Sequence, residues 1–108
     1  MSNVSRGQLK ERVRIKYYKS MGMTLLQRAV RTMAGGGDLG GMWDAWFWND
    51  LEFEWMFVQI GPHSKKKAKL RECHAWLKKY GIFVPGVVYR LDLYKKKRGK
   101  IEWESVML

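Results

Sequence analysis

The chain is poor in cysteine, in histidine and in acids, and each shortage removes a class of protein. Cys73 is the only cysteine, so no internal disulfide can form, and two histidines beside it do not complete a structural zinc site. Disulfide scaffolds and zinc fingers are excluded. No stretch approaches the ~20 consecutive apolar residues needed to span a bilayer, and the opening MSNVSRGQLKERVRIKYYK has no continuous apolar leader segment. The expectation is a soluble, intracellular (cytoplasmic) protein with no membrane partner. There is no internal repeat, low-complexity tail or linker, and 108 residues suit one domain over 1–108.

What the chain has instead is positive charge and aromatic side chains. Lysine and arginine number 21 against 10 aspartates and glutamates, a formal charge of +11. A balance of this kind acts at long range on polyanions, of which nucleic acid is the commonest inside a cell. Three clusters carry it: Lys10, Arg12, Arg14 and Lys16; Lys65 to Lys69 with Arg71; and Lys95 to Arg98 with Lys100. Each lies within a helical or strand-like segment, so the charge belongs to a folded surface rather than a disordered arm. The aromatic content is too high for a disordered basic tail and is enough for one core.

Periodicity gives the order α-β-β-β-α-β-β, an α/β (α+β) chain. Leu9, Val13 and Tyr17 recur at helical spacing from Ser5 to about Met21, and Gly22 is a stop. Residues 24–33 read as a strand, and five glycines between Gly35 and Gly41 as a bent loop. Met42 to Trp48 is an aromatic strand, Asn49-Asp50 a two-residue turn, and Leu51 to Ile60 the returning strand. Gly61 and Pro62 end it. Ser64 is a candidate N-cap for a helix over Lys65 to Tyr80, with Cys73 and Leu77 on its buried stripe and Gly81 as the C′ residue. A strand over Ile82 to Tyr94, interrupted at Pro85-Gly86, an Arg98-Gly99 turn and a strand from Lys100 to Met107 complete the chain.

Asp44 is an acid within a run of Met, Trp, Ala, Trp, Phe and Trp, where a charge is costly unless paired or bound to a metal. Counted back from the turn, Asp44 and Gln59 fall at the same end of the hairpin. Two such oxygens on rigid elements are the minimal requirement for holding a divalent metal beside a phosphate.

These residues resemble the PD-(D/E)xK nuclease core: a helix with an internal acid, a strand, a glycine-rich loop, GMWDAWFW, a turn, EWMFVQIG and a lysine-rich helix. In size and spacing the chain is most similar to archaeal-type Holliday junction resolvases, over about Gln8 to Val106. The resemblance implies a restriction-endonuclease-like fold with a mixed central sheet and Mg²⁺- or Mn²⁺-dependent hydrolysis of DNA, four-way junctions included, in recombination and repair. Asp44, Gln59 and Glu11 would be the metal ligands. Lys10, Arg14, Arg31, Lys65, Lys66, Lys67, Lys69, Lys96, Lys97 and Arg98 would contact nucleic acid. It also implies a homodimer with two active sites on one basic face, for which the Trp-rich hairpin offers apolar surface. The source would be a cell, a virus or a mobile element.

The motif breaks at one place. Gly61 stands where the family carries the lysine that orients the attacking water and offsets transition-state charge. Two accounts are open: Lys65 or Lys66 supplies it, or the chain keeps the fold and the DNA surface without cleavage. A third, from a different class, is a small basic protein that inhibits or recruits another protein. Each candidate also has a purely structural explanation: Asp44 as a strand terminus, Glu11 as a solvated helix acid, Gln59 as a buried amide, Asp38 as a turn residue, and His63 and His74 as surface residues.

Overall fold

The structure, a computed structural model, describes residues 3–28 and 42–108. In chain order these form α1 (Asn3–Ser20), β1 (Thr24–Arg28), β2 (Ala45–Asn49), β3 (Glu54–Pro62), a 3₁₀ turn (His63–Lys65), α2 (Lys66–Tyr80), β4 (Val87–Lys97) and β5 (Lys100–Met107). The class is α+β: one five-stranded mixed sheet in the order β1-β2-β3-β4-β5, with a helix on each face. Only β3 and β4 are parallel, and α2 makes the crossover that a parallel pair requires. The expected order of elements is observed. The C-terminal part of the expected strand over 24–33, and the glycine loop with Asp38, lie outside the described residues. No helix among the described residues is long and apolar enough to cross a membrane.

Local chemistry explains the two hairpins differently. Arg98 and Gly99 both take positive φ, 52° and 79°, which is the two-residue turn whose twist matches antiparallel strands, and Lys97 pairs with Lys100 across it. Asn49 and Asp50 do not take positive φ, so the expected two-residue turn does not form there. The Asn49 side chain instead accepts the N–H groups of Leu51 (3.1 Å) and Glu52 (3.2 Å), and Phe53, at φ 53°, closes a longer turn. The returning strand therefore starts at Glu54, not Leu51.

Two further expectations are corrected at α2. Ser64 lies inside the 3₁₀ turn, and Lys65, without a side-chain bond, occupies the N-cap. Gly81 is extended (φ −64°, ψ 142°) rather than left-handed. Glycine is needed there for space, because a Cβ would lie 2.5 Å from the Leu77 carbonyl oxygen and 2.9 Å from the Phe83 ring.

The two faces of the sheet hold separate cores. Under α1, Ile15 and Tyr18 pack on Ala45, Phe47, Met56, Val58 and Ile60. Under α2, Cys73 and Leu77 pack on Trp43, Tyr89, Leu91 and Leu93, with Phe57 and Trp76 alongside. The helical stripe read from the sequence for α1 is not the buried one: Leu9, Val13 and Tyr17 are 43%, 56% and 46% exposed, while Arg14, Ile15 and Tyr18 face the sheet. The cause is Asp92, fully buried on β4. Its Oδ2 accepts from Arg14 Nε at 2.7 Å and from the Tyr18 hydroxyl, and its Oδ1 accepts from Ser105 Oγ at 2.6 Å. A buried carboxylate is tolerated only when paired and hydrogen-bonded, so α1 turns its cationic and phenolic groups inward. Burial, then the nearby Asp92 charge, pushes the Tyr18 phenol up from its ordinary value, which keeps it a donor.

Asp92→Ala strands the buried Arg14 charge, and the expected cost is about 3–5 kcal/mol in a urea unfolding series. A loss under about 1 kcal/mol would show that Asp92 does not orient α1.

Candidate functional site

Asp44 and Gln59 meet at the end of the sheet where the parallel strands terminate. The Asp44 backbone N–H donates to the Val58 carbonyl at 2.8 Å, and its Oδ2 accepts the Ile60 N–H at 2.7 Å. The Asp44 carboxylate thus ties the head of β2 to the tail of β3. Gln59 is oriented by its amide N–H, which reaches the Met42 carbonyl at 2.8 Å, and this turns Oε1 toward the same Ile60 N–H at 3.1 Å. Both residues are buried, at 2% and 5% exposure. A carboxylate oxygen from the residue just before β2 and an amide oxygen from β3 therefore share one donor, the Ile60 N–H, which sets the two side chains next to each other. They are hard oxygen donors of the kind Mg²⁺ takes alongside substrate phosphate and water.

Glu11 is at the same end but on the other face. It belongs to the inward stripe of α1 with Arg14, Ile15 and Tyr18, and it acts on Tyr94, whose phenol is pushed up by burial and then by the Glu11 charge. Tyr94 pairs with Pro62, the last residue of β3. Among the described residues no three His, Cys, Asp or Glu side chains form a metal-holding group. The structure brings Asp44 and Gln59 together and leaves Glu11 nearby rather than in the same cluster.

The residue after Ile60 is Gly61, buried against α2. A Cβ built there would lie 3.1 Å from Lys69 Cε, 3.7 Å from Cδ and 3.8 Å from Cγ. The Lys69 stem runs across the strand where a side chain of residue 61 would stand. One turn further on, Cys73 feels both ends of this arrangement: burial pushes its thiol up to about 11, with Asp44 and Glu72 adding to the rise and Lys69 opposing it. Lys65 is exposed, whereas Lys66 is engaged with Glu104, which also takes His63 Nε2 at 2.8 Å. Those two partners hold the Glu104 carboxyl below its ordinary range, the Lys66 hydrogen bond foremost.

The basic clusters converge on this same end although they are far apart in sequence. Lys10 Nζ sits 6.0 Å from the Tyr94 ring centre. Lys65, Lys66, Lys67 and Lys69 follow directly from the end of β3. The β4–β5 hairpin outruns β3, because Tyr94 is the last β4 residue paired with it, so Lys95, Lys96, Lys97 and Arg98 project beyond the site. Arg14 is buried on Asp92 and is not part of this surface, a correction to its expected role, and Arg31 lies outside the described residues. The opposite end carries the acids Asp50, Glu52 and Glu54 with exposed Leu51 and Phe53.

Sequence reading placed Lys69 among the phosphate contacts and missed its position over Gly61. The signal was present: Lys69, Cys73 and Leu77 are spaced four apart, so the buried pair draws Lys69 onto the sheet-facing side. The pairing of His63 and Lys66 with Glu104 had no such signal, since it joins residues about forty positions apart.

No protein-family model, curated protein or solved structure matches the chain.

Cys73 is fully buried and its thiol is raised to about 11, so it is a core side chain and not a nucleophile. With Ellman's reagent at pH 8 the native protein is expected to stay unlabelled and the urea-unfolded protein to label at once; rapid native labelling would refute the burial.

Proposed function

We propose that the chain is a metal-dependent DNA endonuclease with a restriction-endonuclease-like core of the PD-(D/E)xK type, similar to Holliday junction resolvases. The observation that carries this reading is the position of Asp44 and Gln59 at the same end of the sheet as Lys10, Lys65 to Lys69 and Lys95 to Arg98. The order of elements and the five-stranded mixed sheet support this reading, and the antiparallel β2–β3 pair sets Asp44, just before β2, beside Gln59 on β3.

In this reading Lys10, Lys65, Lys67, Lys96, Lys97 and Arg98 hold the phosphate backbone, which fixes position without reading sequence. Asp44 and Gln59 would hold Mg²⁺ or Mn²⁺, while Glu11, on the other face of the sheet beside Tyr94, stands outside that pair. Such an ion polarises the phosphoryl oxygen and makes bound water a nucleophile near neutral pH. The chain's own part is rigidity: the Ile60 N–H fixes the Asp44 oxygen, the Met42 carbonyl fixes the Gln59 amide, and the buried setting limits competing water. A homodimer belongs to the same proposal. Exposed Leu51, Phe53 and Trp55 lie beside the loop carrying Ile82, Phe83 and Val84, at the end of the sheet opposite Asp44, so pairing through this apolar patch would hold the two candidate sites far apart rather than on one basic face.

A second reading has one observation in its favour. Gly61 replaces the motif lysine and Gln59 the motif acid, as expected of a nucleic-acid-binding protein that keeps this fold without cleavage.

Two measurements test these readings. Affinity for a four-way junction or a duplex is expected to fall about 10³-fold between about 50 and 200 mM salt; a flat response removes both nucleic-acid readings and favours a protein partner. In Mg²⁺ or Mn²⁺ the protein is expected to nick a labelled four-way junction, and Asp44→Ala to abolish nicking while keeping salt-sensitive binding. Tight binding without nicks selects the non-catalytic reading, and nicking that survives in Asp44→Ala overturns the site.

A further inference from the structure

The structure assigns to Lys69 the place of the lysine that residue 61 lacks: its side chain enters from α2 across Gly61 and presents its ammonium at the Asp44–Gln59 end as the catalytic cation. This inference rests on the endonuclease reading and names the residue that completes it.

The geometry carries the argument from both sides. On the strand side, Gly61 lies within β3 and does not take the left-handed φ that favours glycine, so backbone conformation does not explain it. Space does. A Cβ at residue 61 would stand 3.1 Å from Lys69 Cε, a tight contact that the lysine stem could keep only by shifting a few tenths of an ångström from its present path. The missing side chain and the crossing lysine stem are two halves of one arrangement. On the helix side, Lys69 is half-buried, whereas Lys65 and Lys67 point to solvent and Lys66 is engaged with Glu104. A lysine keeps its methylenes on an apolar surface and its ammonium at the edge, which suits a cation aimed at the rim of the site.

The chemistry is phosphodiester hydrolysis. The water oxygen forms a bond to phosphorus, the bond from phosphorus to the leaving sugar oxygen breaks, one water proton is released, and the leaving oxygen takes up a proton from solvent. Lys69 stays an ammonium throughout. Its N–H groups hold the attacking water and offset the negative charge that builds on the phosphoryl oxygens, an interaction stronger in the transition state than in the bound substrate.

The test compares wild type, Lys69→Met, Lys69→Ala and the double variant Lys69→Ala/Gly61→Lys in single-turnover cleavage of the junction, with DNA affinity measured in parallel. Methionine keeps the stem over Gly61 and removes the charge, so lost activity with an unchanged melting temperature is not a folding effect. The expected loss for Lys69→Met and Lys69→Ala is at least about 100-fold in rate, with affinity changed less than about fivefold. The double variant returns a lysine to the strand, where the shortened residue 69 leaves room, and is expected to recover at least about tenfold over Lys69→Ala. Single variants within about threefold of wild type, or a double variant no faster than Lys69→Ala, overturn the assignment. Failure of the endonuclease reading looks different, since wild type itself then leaves the junction intact. In that case Mn²⁺ titration by calorimetry decides: Lys69→Met binding Mn²⁺ more than about threefold tighter than wild type supports a cation facing the site, and unchanged affinity overturns it.

Discussion

The Asp92 carboxylate sets the orientation of everything packed on the α1 face. It lies at the centre of the sheet, level with Ile60 on β3 and Ser105 on β5, with no exposure to water. A carboxylate in that position must be compensated, and Arg14 and Tyr18, four residues apart on one helical face, supply the charge and the donor. The rest of that face follows. Ile15 enters the core, the Leu9, Val13 and Tyr17 stripe turns outward, and Glu11, one turn before Arg14 and Ile15, comes round toward Tyr94 and the end of β3. A buried ion pair thus turns Glu11, the single acid of α1, toward the end of the sheet that carries the candidate site.

Strand direction does the remaining assembly. The antiparallel β2–β3 pair brings the residue before one strand against the end of the next, so Asp44 reaches Ile60 and Gln59. The parallel β3–β4 pair then makes two chain segments leave the sheet at that same end, one into the lysines that open α2 and the other into the Lys95–Lys100 hairpin. Asp50, Glu52 and Glu54 are carried to the opposite end by the β2–β3 turn. Lys19 and Lys78 with Lys79, in the last turns of α1 and α2, lie at that same opposite end, so the net charge of +11 is spread over both ends and the Asp44 end is distinguished by its two lysine-rich segments rather than by sign.

Much of this was legible in the residues. The order of elements, the Arg98-Gly99 turn and the span of β5 follow from alternation and turn chemistry alone, whereas a two-residue turn at Asn49-Asp50 would have set Asp44 against Trp55, and it is the longer turn that brings Asp44 level with Gln59. What was not legible depends on contacts distant in sequence. The rotation of α1 is imposed by Asp92, 78 residues from Arg14, against a regular Leu9, Val13 and Tyr17 pattern that points the other way. The longer hairpin turn arises because the Asn49 side chain takes two backbone N–H groups, an option that the Asn-Asp pair does not announce. For Gly61 the sequence left two accounts open, a lysine supplied by Lys65 or Lys66 or cleavage lost, and neither points to Lys69, whose stem crosses the glycine from the next helix.

The central claim is one of place: the oxygens that receive a divalent cation and the lysines that receive phosphate belong to the same end of the sheet. Amide signals in a ¹⁵N-correlated spectrum, recorded with substoichiometric Mn²⁺ and then with a short duplex, test it residue by residue. Mn²⁺ is predicted to broaden Asp44, Gln59, Ile60 and Gly61 first, and the duplex to shift Lys10, Lys65 to Lys69 and Lys95 to Lys100. Broadening centred on the Asp50 to Glu54 turn, or duplex shifts at that opposite end, would contradict the account.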